Sequence, residues 1–292
     1  MTIDEIKKLC KKYNVFPSKS KGQNFLLCDE ISDYAVQAGN LKKTDIVIEV
    51  GPGFGVLTKK IADRAGKVIS IELDNNLINA AQELLRGAGN IKFINADILK
   101  LRDEQIAELA GNLHNYEKNY KIIANLPYNI TGAFLKKFLS IVYRPCEMIL
   151  MLQKEVALRI CAKPGNLSIL GVSVQYYAKP EIITNVGRDC FYPVPEVDSA
   201  IIKIAMKKDF LMKAPSDEEK IFFQILKIGF SAKRKMLKNN LFNGFSGMSK
   251  DIKILEIEKI LAELGISAKA RPQELAVDDW IKLAGKIEKS GK

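Results

Sequence analysis

The 292-residue sequence predicts an α/β fold: a mostly parallel sheet with helices on both faces, followed by a small all-helical domain. Three observations carry that expectation. From Asp45 onward, short apolar runs alternate with helical stretches, the pattern of a parallel sheet clad in helices. The first run passes directly into GPGFG, a glycine-rich turn from strand to helix. Beyond Lys207 the strand pattern stops, and apolar residues recur at helical spacing. The boundary near Lys207–Asp209 gives domains of residues 1–208 and 209–292.

The elements follow in order. MTIDEIKKLCKKYN reads as a helix, with Thr2 and Glu5 in capping-box spacing. DIVIEV is a short apolar strand, and VLTKKIADRAG the helix after it. KVISIELD and NLINAAQELLRGAG repeat the unit, that helix ending on glycines. IKFINADI and YKIIANLPY are further strands, while EMILMLQ and SVQYYAKPEII supply more candidates. Past the boundary, Ser216 and Glu219 open another amphipathic helix with capping-box spacing. KRKMLKNNLF, SKDIKILEIEKILAELG and PQELAVDDWIKLAGKIEK complete the helical domain.

Composition narrows the function. At 47% hydrophobic and 27% charged the chain is globular, and no uninterrupted apolar run is long enough to span a bilayer. The N-terminus has no signal-peptide core, so the expected compartment is cytoplasmic, without membrane association. Five scattered cysteines with no C-x-x-C pair read as reduced thiols. His114 is the only histidine, which argues against histidine metal sites and hydrolases that need a histidine base. No metal is expected. The formal net charge of +11 suggests a polyanionic partner.

The strand ends carry the chemistry. EVGPGFG has the form E-x-G-x-G-x-G, with glycine spacing different from the dinucleotide G-x-G-x-x-G. Glu49 beside the turn would sit poorly against a pyrophosphate but suits a ligand with a positive centre. Glu72 ends the next strand about twenty residues on, where an acid bonds ribose hydroxyls. Asp97, in NADI, suits an adenine amino group. Acids and a glycine loop at successive strand C-termini favour a sulfonium nucleoside, S-adenosylmethionine, over a dinucleotide.

With a methyl donor in place, NLPY acquires a purpose. An adenine amine is a poor nucleophile because its lone pair is delocalised into the ring. The Asn125 side-chain oxygen and a carbonyl at Leu126 or Pro127 can accept both N–H bonds and turn the lone pair toward the methyl. Pro127 holds the turn rigid. Tyr128 offers a ring face to an extruded base, a contact that uses the ring and not the hydroxyl.

Taken with KGQNFL, IELD, ADIL, LMLQKEVALRI, FYPVPEVDSA and FSAKRKMLKNNL, these motifs resemble the KsgA (RsmA) family of rRNA adenine N6-dimethyltransferases over nearly the whole chain. The resemblance implies a Rossmann-like class I methyltransferase domain. It also implies dimethylation of two adjacent adenosines near the 3′ end of 16S rRNA, within the small ribosomal subunit or its precursor, and a role in small-subunit biogenesis. Asn24 and Leu26 would close over the cofactor, Gly51 lie along its methionine part, Glu72 meet the ribose and Asp97 the adenine. Asn125 would stand at the methyl–amine junction, and Phe191 would pair with Tyr128 on the target base. SAKRKMLKNN reads as a basic helix whose Lys233, Arg234 and Lys235 contact rRNA; the protein is expected to be a monomer. The segment AKPGNLSILGVSVQYYA is shorter than the family pattern and lacks its Tyr-Gly, which leaves RNA contacts at Lys163–Leu170 unassigned. Three alternatives stay open: a resistance methyltransferase acting on large-subunit rRNA, a DNA adenine methyltransferase, and an assembly factor with secondary catalysis.

Overall fold

The computed structural model describes residues 1–17, 22–111, 120–211, 213–246 and 253–290, so Lys21 and His114 lie outside the described residues. The chain divides into two compact units, Met1–Ala157 with Ala178–Lys213, and Leu158–Tyr177 with Ala214–Lys292. The second unit thus contains residues 158–177, which the sequence pattern assigns to the first domain.

The elements begin with α1 (Ile3–Lys12), β1 (Phe25–Leu26), α2 (Asp29–Ala38), β2 (Ile46–Val50), α3 (Val56–Ala62), β3 (Lys67–Glu72) and α4 (Asn75–Leu84). They continue with β4 (Ile91–Asn95), α5 (Asp103–Leu109), β5 (Tyr120–Asn125), α6 (Thr131–Ser140), β6 (Glu147–Gln153), α7 (Lys154–Ile160) and α8 (Ile169–Tyr177). β7 (Ala178–Val186), β8 (Phe191–Tyr192) and β9 (Ser199–Met206) follow, then α9 (Asp217–Gly229), α10 (Leu237–Ser246), α11 (Ile254–Glu263) and α12 (Val277–Ser290).

A seven-stranded sheet runs in the order β4-β3-β2-β5-β6-β9-β7, and β1 pairs separately with β8. β2 to β6 are parallel, whereas β9 lies antiparallel between β6 and β7. Val47, Ile48, Val68, Ile69, Ile122 and Ile123 are fully buried, because helices cover both faces. From β2 the chain winds outward through β3 and β4, then returns to place β5 on the other flank of β2. That reversal opens a crevice beyond the carboxyl ends of β2 and β5, the place where such sheets bind ligands.

Local chemistry accounts for the ends of several elements. At α1 the Thr2 N–H donates to Glu5 Oε2 at 2.6 Å and the Glu5 N–H returns to Thr2 Oγ1 at 3.2 Å, a complete capping box. SVQYY is helix rather than strand. Ser168 starts α8 by accepting the Gly171 N–H on its hydroxyl at 3.2 Å and the Val172 N–H on its carbonyl at 2.9 Å. A short apolar run has no period to decide between the two conformations. Lys233, Arg234 and Lys235 are likewise not helical, and α10 begins only at Leu237. The buried Asn240 amide donates to the Gly229 carbonyl at 2.6 Å and the Ala232 carbonyl at 3.0 Å, holding the chain in a turn after α9. The second unit's core gathers Phe222, Leu226, Leu237, Leu241, Leu261 and the fully buried Trp280.

Two further expectations are corrected. Cys28 and Cys190 form a disulfide rather than standing as free thiols. Pairing of β1 with β8 brings residues 162 apart in sequence to a Cα–Cα distance of 5.2 Å, a spacing invisible to motif counting. Glu49, meant to face a positive centre, is only 1% exposed and turns into the interior, where Ser70 Oγ donates to its Oε2 at 2.5 Å.

Burial pushes the Glu49 carboxyl up to about 7, against the opposing Ser70 and Thr58 hydroxyls and with help from the Glu72 charge. The unfolded chain releases this proton near 4.5 while the folded chain keeps it to about 7, so stability falls as pH rises between those values. The loss is about 3 kcal/mol once pH passes the upper value. Glu49→Gln cannot ionise and should gain on the wild type across that window. Urea unfolding at a series of pH values checks this, and parallel stability curves for the two proteins would contradict it.

Candidate active site

Three positive-φ glycines, Gly51 (+71°), Gly53 (+57°) and Gly55 (+83°), turn the chain from β2 into α3. A Cβ on Gly55 would meet Leu85 Cδ1 at 2.7 Å, so this turn admits no side chain there. The crevice beyond is a cavity of about 410 Å³ whose walls include Asn24, Leu26, Gly51, Glu72, Asp97, Asn125 and Tyr128.

Glu72 ends β3 and is 9% exposed. Burial raises its pKa, while the backbone N–H groups of Asp74, Leu73 and Gly53 pull the other way. The Asp74 N–H donates to its Oε1 at 3.0 Å. Asn95, at the end of β4, donates to the Glu72 and Leu73 carbonyls at 2.9 and 3.1 Å and fixes the path of the strand end. Asp97 accepts the Leu99 N–H on Oδ1 at 2.9 Å, which sets its rotamer. Glu72 and Asp97 thus stand at the ends of neighbouring strands on one wall of the cavity.

Asn125 forms the facing wall. Its Nδ2 donates to the Asn24 carbonyl at 3.2 Å, which leaves Oδ1 as an acceptor. β5 stops here because Pro127, at φ −55° and ψ 130°, has no N–H for the ladder. The Leu126 N–H still pairs with the Met151 carbonyl at 3.1 Å, and the Pro127 carbonyl accepts the Ile130 N–H at 3.2 Å in a 3₁₀ turn. Tyr128 is half-buried, and its hydroxyl shares a 2.6 Å hydrogen bond with Ser199 Oγ at the start of β9. Burial raises the Tyr128 pKa, opposed by that bond, so the phenol stays protonated at neutral pH.

Phe191 departs from expectation. It is 1% exposed, sits in the apolar cluster with Ile31, Val186 and Ile201, and does not line the cavity. Pairing of Phe191 with Leu26 across β1 and β8 draws the side chain into the interior. Lys233, Arg234 and Lys235 belong to the second unit and are exposed.

The structure also adds residues. Leu73 is 67% exposed on the cavity wall next to Glu72, and Ile98 follows Asp97. Together they offer an apolar surface to a flat ring between the two acids. A leucine at an acidic strand end carries no chemical mark in the sequence. Ser199 is fully buried at the start of β9, opposite Gln153 of β6 and Val186 of β7, and only this pairing of distant strands brings it to Tyr128, although the DSA of its motif names it.

The chain is similar to known proteins. A family model described as ribosomal RNA adenine dimethylase matches residues 17–283. A ribosomal RNA small subunit methyltransferase A from Dehalococcoides mccartyi is 40% identical over 279 residues, covering 96% of this chain and 91% of its own. A protein of the same description from Pelotomaculum thermopropionicum is 34% identical over 290 residues, 98% of this chain and 96% of its own. Among solved structures, a dimethyladenosine transferase from Plasmodium falciparum superposes with a TM-score of 0.74 at 27% identity, covering 91% of this chain and 98% of its own. The 23S rRNA methyltransferase ErmE reaches a TM-score of 0.70 at 24% identity over 91% of this chain and 100% of its own, a likeness of fold. With the glycine turn, the paired acids and NLPY on one cavity, and a family model spanning nearly the whole sequence, the chain belongs to the ribosomal RNA adenine dimethylase family.

Proposed function

We propose that this protein dimethylates the N6 amines of two adjacent adenosines near the 3′ end of 16S rRNA, using S-adenosylmethionine, and takes part in small-subunit biogenesis. The observation that carries this reading is the oriented Asn125 amide, with Nδ2 engaged by Asn24 and Oδ1 left on the cavity wall. The wall fits the methyl donor. Glu72 suits the ribose hydroxyls, Asp97 the adenine amine and Leu73 with Ile98 the ring, while Gly51 leaves backbone open along the methionine part. S-adenosylmethionine supplies an electrophilic methyl on a sulfonium sulfur.

The chain's own residues supply position. Asn125 Oδ1 accepts one N–H of the target amine. The Leu126 or the Pro127 carbonyl is the second acceptor, the latter already accepting the Ile130 N–H on one of its two lone pairs. Two acceptors in place draw the nitrogen lone pair out of conjugation and aim it across the cavity. No base is required, because the alkylated amine is acidic and loses its proton readily. Positioning of this kind supplies roughly 7–11 kcal/mol in favourable cases. Tyr128 stacks the extruded base. Phe191 would join it only after leaving its buried site, so Tyr128 carries the stacking in the arrangement seen here. Lys233, Arg234 and Lys235 contact the rRNA backbone. The protein acts as a cytoplasmic monomer on the small subunit or its precursor, its main domain division falling near residue 208, with residues 158–177 joining the helical unit.

Mass spectrometry of rRNA from cells with and without the gene tests the reading. Dimethyladenosine missing from the small subunit when the gene is absent supports it; a deficit in large-subunit rRNA or DNA alone overturns it. The Tyr128–Ser199 bond yields a second expectation. Tyr128→Phe and Ser199→Ala delete the same hydrogen bond, so each should slow single-turnover methylation several-fold, and the double variant should be no slower than the worse single. Rate reductions that multiply would show that the bond does not hold the ring.

A further inference from the structure

In the second unit, the outer face of α10 and the turn before it enclose an open cavity of about 410 Å³, lined by Arg234, Lys235, Met236, Asn239, Phe242 and Asn243. That volume lies within the roughly 300–1,000 Å³ typical of small-ligand pockets. Asn239, Phe242 and Asn243 stand at i, i+3 and i+4 and share one helix face. The opposite face, with Leu237, Leu241 and Phe245, is buried in the core.

The lining is chemically selective. Among the described residues no carboxylate lines it, and Glu258 of α11 is paired with Lys238 at 2.5 Å. Among the described residues, Arg234 and Lys235 form no ion pair, and the Asn239 and Asn243 side chains make no hydrogen bond, in contrast to the buried Asn240 amide on the same helix. Phe242 is 36% exposed and presents its ring to the cavity beside the cations and amides. Binding to a phosphate backbone alone would call for the cations, but neither for the ring nor for two free amides. A hollow with two cations, two unpaired amides and an open ring matches a nucleotide whose base has left the stack.

We infer that this cavity binds one unpaired nucleotide of the RNA substrate. Phe242 and Met236 pack against the base, Asn239 and Asn243 read its edge, and Arg234 and Lys235 hold the phosphates on either side. This rests on the reading above that the substrate is rRNA, and adds a second base-recognition point on the helical unit, separate from the target-adenosine cavity.

The test uses the full chain and a short single-stranded RNA bearing 2-aminopurine, with a duplex of the same length as competitor. Phe242→Ala should weaken single-strand binding about 5- to 150-fold and abolish the quenching that stacking causes, with the salt dependence unchanged. Phe242→Trp should restore both. Arg234→Gln with Lys235→Gln should lower the salt slope by about one unit for each phosphate no longer neutralised. Wild-type affinity in Phe242→Ala, with the salt slope lowered in the cation variant, would overturn the base pocket but leave an RNA-binding face. Equal competition by the duplex would also overturn it. If neither variant changes RNA binding, the rRNA contact assigned to this turn fails as well. A thermal melt of Phe242→Ala, a change at an exposed site, controls for folding.

Discussion

The site depends on where β5 stops. Pro127 offers no N–H to the sheet and restricts Leu126 to extended backbone, so the ladder ends with the Leu126 N–H on the Met151 carbonyl. Asn125 is therefore the last residue held rigidly by the parallel pairing. Tyr128 is the first residue of the turn that follows. Because β5 flanks β2 at the reversal of strand order, this one termination sets an amide and an aromatic ring against the glycine loop, Glu72 and Asp97. A ladder running one residue further would carry the amide past the wall.

Each of these groups is held by a hydrogen bond with a neighbour. Asn24 fixes the Asn125 amide, the Asp74 N–H holds Glu72, the Leu99 N–H holds Asp97, and Ser199 anchors the Tyr128 hydroxyl. A reaction that needs no general base has little use for a titrating side chain and every use for fixed acceptors. A chain with a single histidine has no difficulty performing it. The acid that does titrate near neutrality, Glu49, is buried beneath the loop and bears on stability rather than on the ligand.

Much of this was legible in the sequence because the strand ends are local. A parallel strand buried on both faces is an unbroken apolar run, and the residue after it falls at the ligand edge. Glu72, Asp97 and Asn125 could therefore be placed without coordinates. What escaped depends on pairing between distant segments or on which way one side chain turns. Cys28 meets Cys190, and Phe191 goes into the interior, because β1 finds β8. Glu49 precedes the glycine turn as a ligand group would, yet strand alternation points it at Ser70. Lys233–Lys235 look helical by composition, but the Asn240 amide, reaching back to α9, holds them in a turn. That turn is what leaves Arg234 and Lys235 beside Phe242.

The most direct measurement is single-turnover methyl transfer by Asn125→Ala on the small-subunit substrate, with RNA and S-adenosylmethionine affinities determined in parallel. If Asn125 Oδ1 aims the amine, the rate should fall by about 10²–10³, by analogy with deleting one oxyanion-hole donor. RNA affinity should stay near the wild-type value, since most of it comes from the phosphate backbone. Methylation by Asn125→Ala at the wild-type rate would contradict the account and reduce NLPY to a strand-ending turn.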